Sequence, residues 1–122
     1  MAIEMNPLNA NAYLHRGMAK YALTDARGAI QDYNTTLQLQ VNMEQAYVKR
    51  GQAKALIRDY TGAIADYNIA TGLNSYDKDA FYLRGLAKTM AKVDQNGACL
   101  DFSKAGELGM AEAYVAIRTY CN

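Results

Sequence analysis

The chain has 122 residues, of which 51% are hydrophobic and 20% charged, and its charges nearly cancel to a net of +1. One domain of this size buries roughly two-thirds of the surface its unfolded chain exposes, so no metal or disulfide is needed to fold it. Near-neutrality excludes an overall electrostatic drive toward nucleic acid or anionic membrane. The apolar runs fall far short of the roughly 20 residues that span a bilayer, and no signal-peptide pattern is present, so any targeting signal is expected upstream.

In chain order, Ala2-Ile3-Glu4-Met5-Asn6-Pro7 reads as the tail of a helix that begins before this sequence, as in a fragment of a longer protein. Apolar residues then recur with helical period over Ala12 to Ala22 and Ala26 to Leu39, with Thr24-Asp25 between them where capping and turn residues belong. That pattern predicts a helical hairpin. Two more follow, at 44–57 with 61–73 across Arg58-Asp59, and at 78–91 with 96–107 across Asp94-Gln95-Asn96. Ala113 to Arg118 restarts the first-helix pattern, with no second helix after it. No strand pattern competes, and Pro7 is the only proline, so the fold class is all-α with no internal domain boundary.

The hairpins repeat each other. Tyr13-Leu14-His15-Arg16-Gly17, Tyr47-Val48-Lys49-Arg50-Gly51 and Phe81-Tyr82-Leu83-Arg84-Gly85 place their glycines 34 residues apart. In the second helices, Gly28-Ala29-Ile30-Gln31-Asp32-Tyr33 and Gly62-Ala63-Ile64-Ala65-Asp66-Tyr67 keep that spacing, while Gly97-Ala98-Cys99-Leu100-Asp101-Phe102 follows after 35. The units are therefore 8–41, 42–75 and 76–110, preceded by the tail 1–7 and followed by a capping helix at 111–122.

This pattern resembles the tetratricopeptide repeat, with its aromatic and glycine on the first helix and Ala-x-x-x-aromatic on the second. The matching residues are Tyr13, Gly17, Ala29 and Tyr33, then Tyr47, Gly51, Ala63 and Tyr67, then Phe81, Gly85, Ala98 and Phe102. The resemblance implies a right-handed superhelical solenoid of antiparallel helix hairpins, with the first helices lining a concave groove where peptide segments dock. The chain departs from the pattern consistently. Arg16, Arg50 and Arg84 replace the leucine before each glycine, Lys20, Lys54 and Lys88 replace the tyrosine three residues after it, and Val41 and Ser75 replace the closing proline.

Those arginines recur with Asp32, Asp66 and Asp101 on the second helices, which suggests a structural ladder of ion pairs edged by the lysines. Cys99 takes the place of Ile30 and Ile64, where it reads as a small buried hydrophobe, and an antiparallel closing helix would bring Cys121 toward it, which leaves a disulfide open as the alternative if the surroundings are oxidising. His15, the only histidine, has no cysteine or carboxylate at metal-ligand spacing. No catalytic triad, phosphate-cradling loop or paired-carboxylate pattern stands out, so neither an enzyme nor a cofactor is expected.

Function then rests on the groove. Asn11, Leu14, Met18 and Tyr21, then Gln45, Val48, Gln52 and Ala55, then Asp79, Tyr82, Leu86 and Thr89 fall on one stripe of each first helix. The competing reading is that Leu14, Val48, Tyr82 and Leu86 only pack adjacent repeats together. Some tetratricopeptide domains hold a peptide carboxylate with a clamp of lysine, arginine and asparagine, and Leu14, Met18, Val48, Asp79 and Tyr82 do not supply one. The leading expectation is a protein-interaction module that binds a neutral, partly apolar segment. A structural or self-associating spacer is the alternative, and an RNA-binding helical repeat is disfavoured by the charge balance.

Overall fold

The computed structural model describes residues 8–121; the expected helix tail at 1–7 lies outside them, as does Asn122. The described residues form seven helices: α1 (Ala10–Ala22), α2 (Ala26–Leu39), α3 (Glu44–Leu56), α4 (Tyr60–Leu73), α5 (Lys78–Ala91), α6 (Gln95–Glu107) and α7 (Ala111–Tyr120). Helices α1 and α2, α3 and α4, and α5 and α6 pack as hairpins. Each hairpin meets the next through its second helix, and the first helices α1, α3 and α5 also touch in sequence. This is a right-handed superhelical solenoid, closed by α7 against α6.

Aspartates start the second helices. The side chains of Asp25, Asp59 and Asp94 accept from the backbone N–H of Gly28, Gly62 and Gly97 at 3.0, 2.9 and 3.1 Å, satisfying one of the donors a helix start leaves open. Each first helix ends on a residue in the left-handed region: Thr24 at φ 63°, Arg58 at 65° and Lys92 at 57°. The next residue's N–H then turns back to Lys20, Lys54 or Lys88, at 2.8, 2.8 and 3.0 Å, the six-to-one bond of a Schellman turn. In the first two units that residue is also the capping aspartate. In the third it is Val93, and Asp94 caps one position later. The 35-residue spacing is therefore one residue added between turn and cap, and α6 starts at Gln95, inside the expected link.

The repeated small residues are fixed by sterics. A Cβ on Gly17, Gly51 or Gly85 would lie 2.6, 2.5 or 2.7 Å from a ring carbon of Tyr33, Tyr67 or Phe102. Those rings are at most 1% exposed, so they fill the hairpin crossings and cannot swing aside. Buried alanines, among them Ala29, Ala46, Ala63, Ala80 and Ala98, let the backbones approach around them.

The last unit has its own core, in which Phe102, Ala105, Met110, Ala113 and Ala116 pack α6 against α7. Helix α7 has Arg118 where the other first helices have glycine. Tyr114 instead lies over Gly106 of α6, where a Cβ would meet its ring at 2.7 Å. A disulfide between Cys99 on α6 and Cys121, with Cα atoms 5.9 Å apart, fastens the end of α7. Gln95 supports the same joint by donating to the Tyr120 carbonyl at 3.2 Å.

Candidate functional site

The repeated charges form a ladder between the helices of each hairpin. Arg16, Arg50 and Arg84 donate from Nε at 2.9 Å and from Nη2 at 2.7 Å to the two carboxylate oxygens of Asp32, Asp66 and Asp101. Lys20, Lys54 and Lys88 reach the same carboxylates at 3.1, 3.1 and 3.2 Å. Each guanidinium also lies 5.4–5.5 Å from the ring centroid of Tyr13, Tyr47 or Phe81. The aspartates are buried, and the forked pairing is what keeps a charge there tolerable. At Asp32 burial pushes the carboxyl up, but Arg16 and Lys20 together outweigh it and hold the group below its ordinary value.

Three further bonds cross between units. Arg50 Nη1 donates to Asn34 Oδ1 at 2.9 Å, and Arg84 Nη1 donates to Asn68 Oδ1 and Thr71 Oγ1, both at 3.0 Å. The sequence offered a signal for the asparagines, since Asn34 and Asn68 both follow the core tyrosine, 34 residues apart. The ladder directs six basic side chains of the first helices to these three carboxylates.

Acids collect in a groove of about 460 Å³ between α3, α5 and α7. Val48, Leu83 and Met110 supply its apolar surface, and Gln45, Gln52 and Tyr82 add amides and a phenol. Glu44, Asp77, Asp79 and Glu112 also line it, against one ammonium, Lys49. A second hollow of about 280 Å³ shares Tyr82 and Glu112 and continues between α5 and α7 along Leu86, Val115 and Tyr120. Tyr82 is held in place by Phe102, ring centroids 5.8 Å apart, and Phe102 in turn stacks on Tyr120 at 6.2 Å.

Glu44 is the unusual carboxylate. Its Oε2 is shielded from solvent, and its carboxyl lies within hydrogen-bonding reach of Asp77 and Asn74. Burial first, and the neighbouring Asp77 second, push its carboxyl up to about 8, so at pH 7 it is largely protonated. Asp77 itself caps α5, accepting from the Ala80 N–H at 3.2 Å.

The stripe expected from the sequence divides. Gln45, Val48, Gln52, Asp79 and Tyr82 line the main groove, and Tyr82 and Leu86 the second hollow. Leu14 is 3% exposed and Val48 7%, and both are part of the core between neighbouring units. Met18 and Tyr21 pack half-buried against that core, while Asn11 is exposed and its carbonyl faces His15 Nδ1 at 2.8 Å. Glu44, Lys49, Asp77, Met110 and Glu112 escaped the sequence reading because a single-helix stripe does not show what loops and the capping helix bring to the same hollow. Among the described residues no group of three His, Cys, Asp or Glu side chains is placed to hold a metal ion, and no helix is long and apolar enough to cross a membrane.

No family model matches the chain, and no curated protein sequence does either. Solved structures do match. The first TPR of Spaghetti (RPAP3), bound to the HSP90 peptide SRMEEVD, superposes with a TM-score of 0.88 at 21% identity, covering 98% of this chain and 95% of that one. The Arabidopsis OM64 TPR domain gives 0.88 at 22% identity, covering 95% and 97%. The chain has the tetratricopeptide fold.

A third tetratricopeptide structure, the second TPR domain of human RPAP3 in complex with the HSP70 peptide SGPTIEEVD, gives a TM-score of 0.85 at 22% identity, covering 93% of this chain and 99% of that one. Within the tetratricopeptide frame, the arginines of this chain take the position before the packing glycine and turn to the second helix of their own hairpin.

Proposed function

We propose that the chain is a non-catalytic protein-interaction module that holds a segment of a partner protein in the groove between α3, α5 and α7. The observation that carries this reading is that the groove is walled by side chains that do not repeat from unit to unit. Gln45, Gln52, Asp79, Tyr82 and Glu112 have no packing duty comparable to that of the glycines, core rings and ion pairs. Side chains held on rigid helices around an open hollow can select a ligand. That tetratricopeptide structures of similar shape carry bound peptides supports the same use of the first-helix row. An aromatic anchored by its neighbours, as Tyr82 is by Phe102, is the kind of residue that dominates partner binding.

A displayed random-peptide library tests this. Selected peptides should bind the native chain and lose affinity at least tenfold to Tyr82→Ala, with Gln52→Ala weaker in effect. Selected peptides indifferent to both substitutions would place any binding elsewhere and remove the proposal.

A further inference from the structure

We infer that the partner segment is basic: a lysine or arginine side chain enters the groove between α3, α5 and α7, with its alkyl stem on the apolar surface and its charge among the carboxylates. This rests on the interaction-module reading and specifies the ligand's chemistry. Three observations point the same way.

The first is charge. Glu44, Asp77, Asp79 and Glu112 line the groove against one ammonium, so acids outnumber it even with the Glu44 proton counted, although the chain as a whole is nearly neutral. Six basic side chains of the first helices are directed to Asp32, Asp66 and Asp101 instead, and Lys49 alone among the basic residues lines the groove. Acidic residues near helix starts are favoured singly by the helix dipole, and Glu44, Asp77, Asp79 and Glu112 all sit at such places. The dipole does not explain why three helices direct theirs into one hollow.

The second is a carboxyl with little room for its charge. Glu44 Oε2 is shut off from water, and its carboxyl shares the site with the Asp77 carboxyl, so a cation placed there would stabilise both as anions. An ammonium or guanidinium brings several donors. In the empty groove Glu44 is held largely neutral at pH 7, and a cation would draw its proton away.

The third is shape and surface. Val48, Leu83 and Met110 offer an apolar bed for a methylene stem, and Tyr82 offers a ring for the cation. The peptides in the similar structures, SRMEEVD and SGPTIEEVD, end in acidic sequences, so this groove would repel their termini.

The test titrates the whole chain with three fluorescein-labelled nonapeptides of one spacing: leucine alternating with arginine, with glutamine, and with glutamate. The arginine peptide should bind most tightly, weaken with salt, and lose at least tenfold in affinity to the exposed pair Asp79→Asn with Glu112→Gln. Glu107→Gln, outside the groove lining, should leave it unchanged. If the glutamine or glutamate peptide binds as well as the arginine one and depends on Tyr82, the basic preference falls while the interaction module stands. If arginine binding survives the double substitution, the charge is being read elsewhere and this inference falls. If no peptide, including library selections, depends on Tyr82, both readings fall together.

Discussion

Arg50 donates from Nη1 to Oδ1 of Asn34 at 2.9 Å, linking the first helix of the second unit to the second helix of the first. The same guanidinium grips Asp66 through Nε and Nη2. One side chain thus closes its own hairpin and ties it to the preceding one.

The two roles have different expected sizes. Asp66 is buried, and Arg50→Met leaves it with Lys54 alone, so unfolding free energy should fall by about 3 kcal/mol. Asn34→Ala removes one bond at an exposed position and should cost about 1 kcal/mol. Urea denaturation checks both. Equal losses would mean that the joint between units, rather than the buried carboxylate, sets the value of Arg50.

Two helical glycines should respond in opposite directions. Gly51→Ala forces a Cβ to 2.5 Å from the Tyr67 ring and should destabilise by about 2 kcal/mol, despite alanine's better helix propensity. Gly72, near the end of α4, has nothing within 4 Å of the same position. Gly72→Ala should stabilise by about 0.5 kcal/mol. Thermal melts of the two variants would separate packing from propensity.

The contrast shows what the sequence made legible. The glycine echo and its partner rings located the hairpins, because steric demands at helix crossings recur with the repeat. The Arg-Asp pairing could be anticipated for the same reason. The groove could not be placed as fully, since Leu14 and Val48 share a stripe with Gln45 and Gln52, yet Leu14 is consumed by packing between units and Val48, mostly buried, shows the groove only an edge. Glu44 and Asp77 lie outside the stripe altogether, and only the stacking of α3 beside the turn before α5 brings them together.

The disulfide encloses 22 residues of sequence separation, and the loop-entropy model assigns such a link about 3 kcal/mol. Reduction should therefore loosen α7 before the rest of the stack. Hydrogen exchange after reduction should accelerate at Ala113 and Ala116 while Ala46 and Ala63 keep their protection. Because Met110 and Glu112 belong to the groove, reduction should also weaken groove binding. Thiol titration of the native protein should find no free thiol before reduction and two after it.

Glu44 gives the pH dependence a definite sign. Its ordinary value is 4.5 and burial, then Asp77, raise it to about 8, so between those values the folded chain holds a proton that the unfolded chain has released. Its contribution to stability therefore falls as pH rises across that window. Asp32 acts oppositely: held below its ordinary value of 3.8, it supports the fold above that pH and loses its effect as acid protonates it. Denaturation at pH 5 and pH 8.5 should show a larger stability loss in the native chain than in Glu44→Gln. Binding of the arginine peptide should strengthen over the same rise, as Glu44 ionises, and Glu44→Gln should flatten that gain.

The separation between a repeated framework and an unrepeated reading surface is tested most directly by mapping amide chemical shifts during titration with the arginine-containing peptide. The account predicts that the largest changes fall on Gln45, Lys49, Gln52, Asp79, Tyr82 and Glu112, while Gln31, Ala65 and Leu100 on the second helices stay still. Changes centred on those second-helix positions, with the groove residues unmoved, would contradict it.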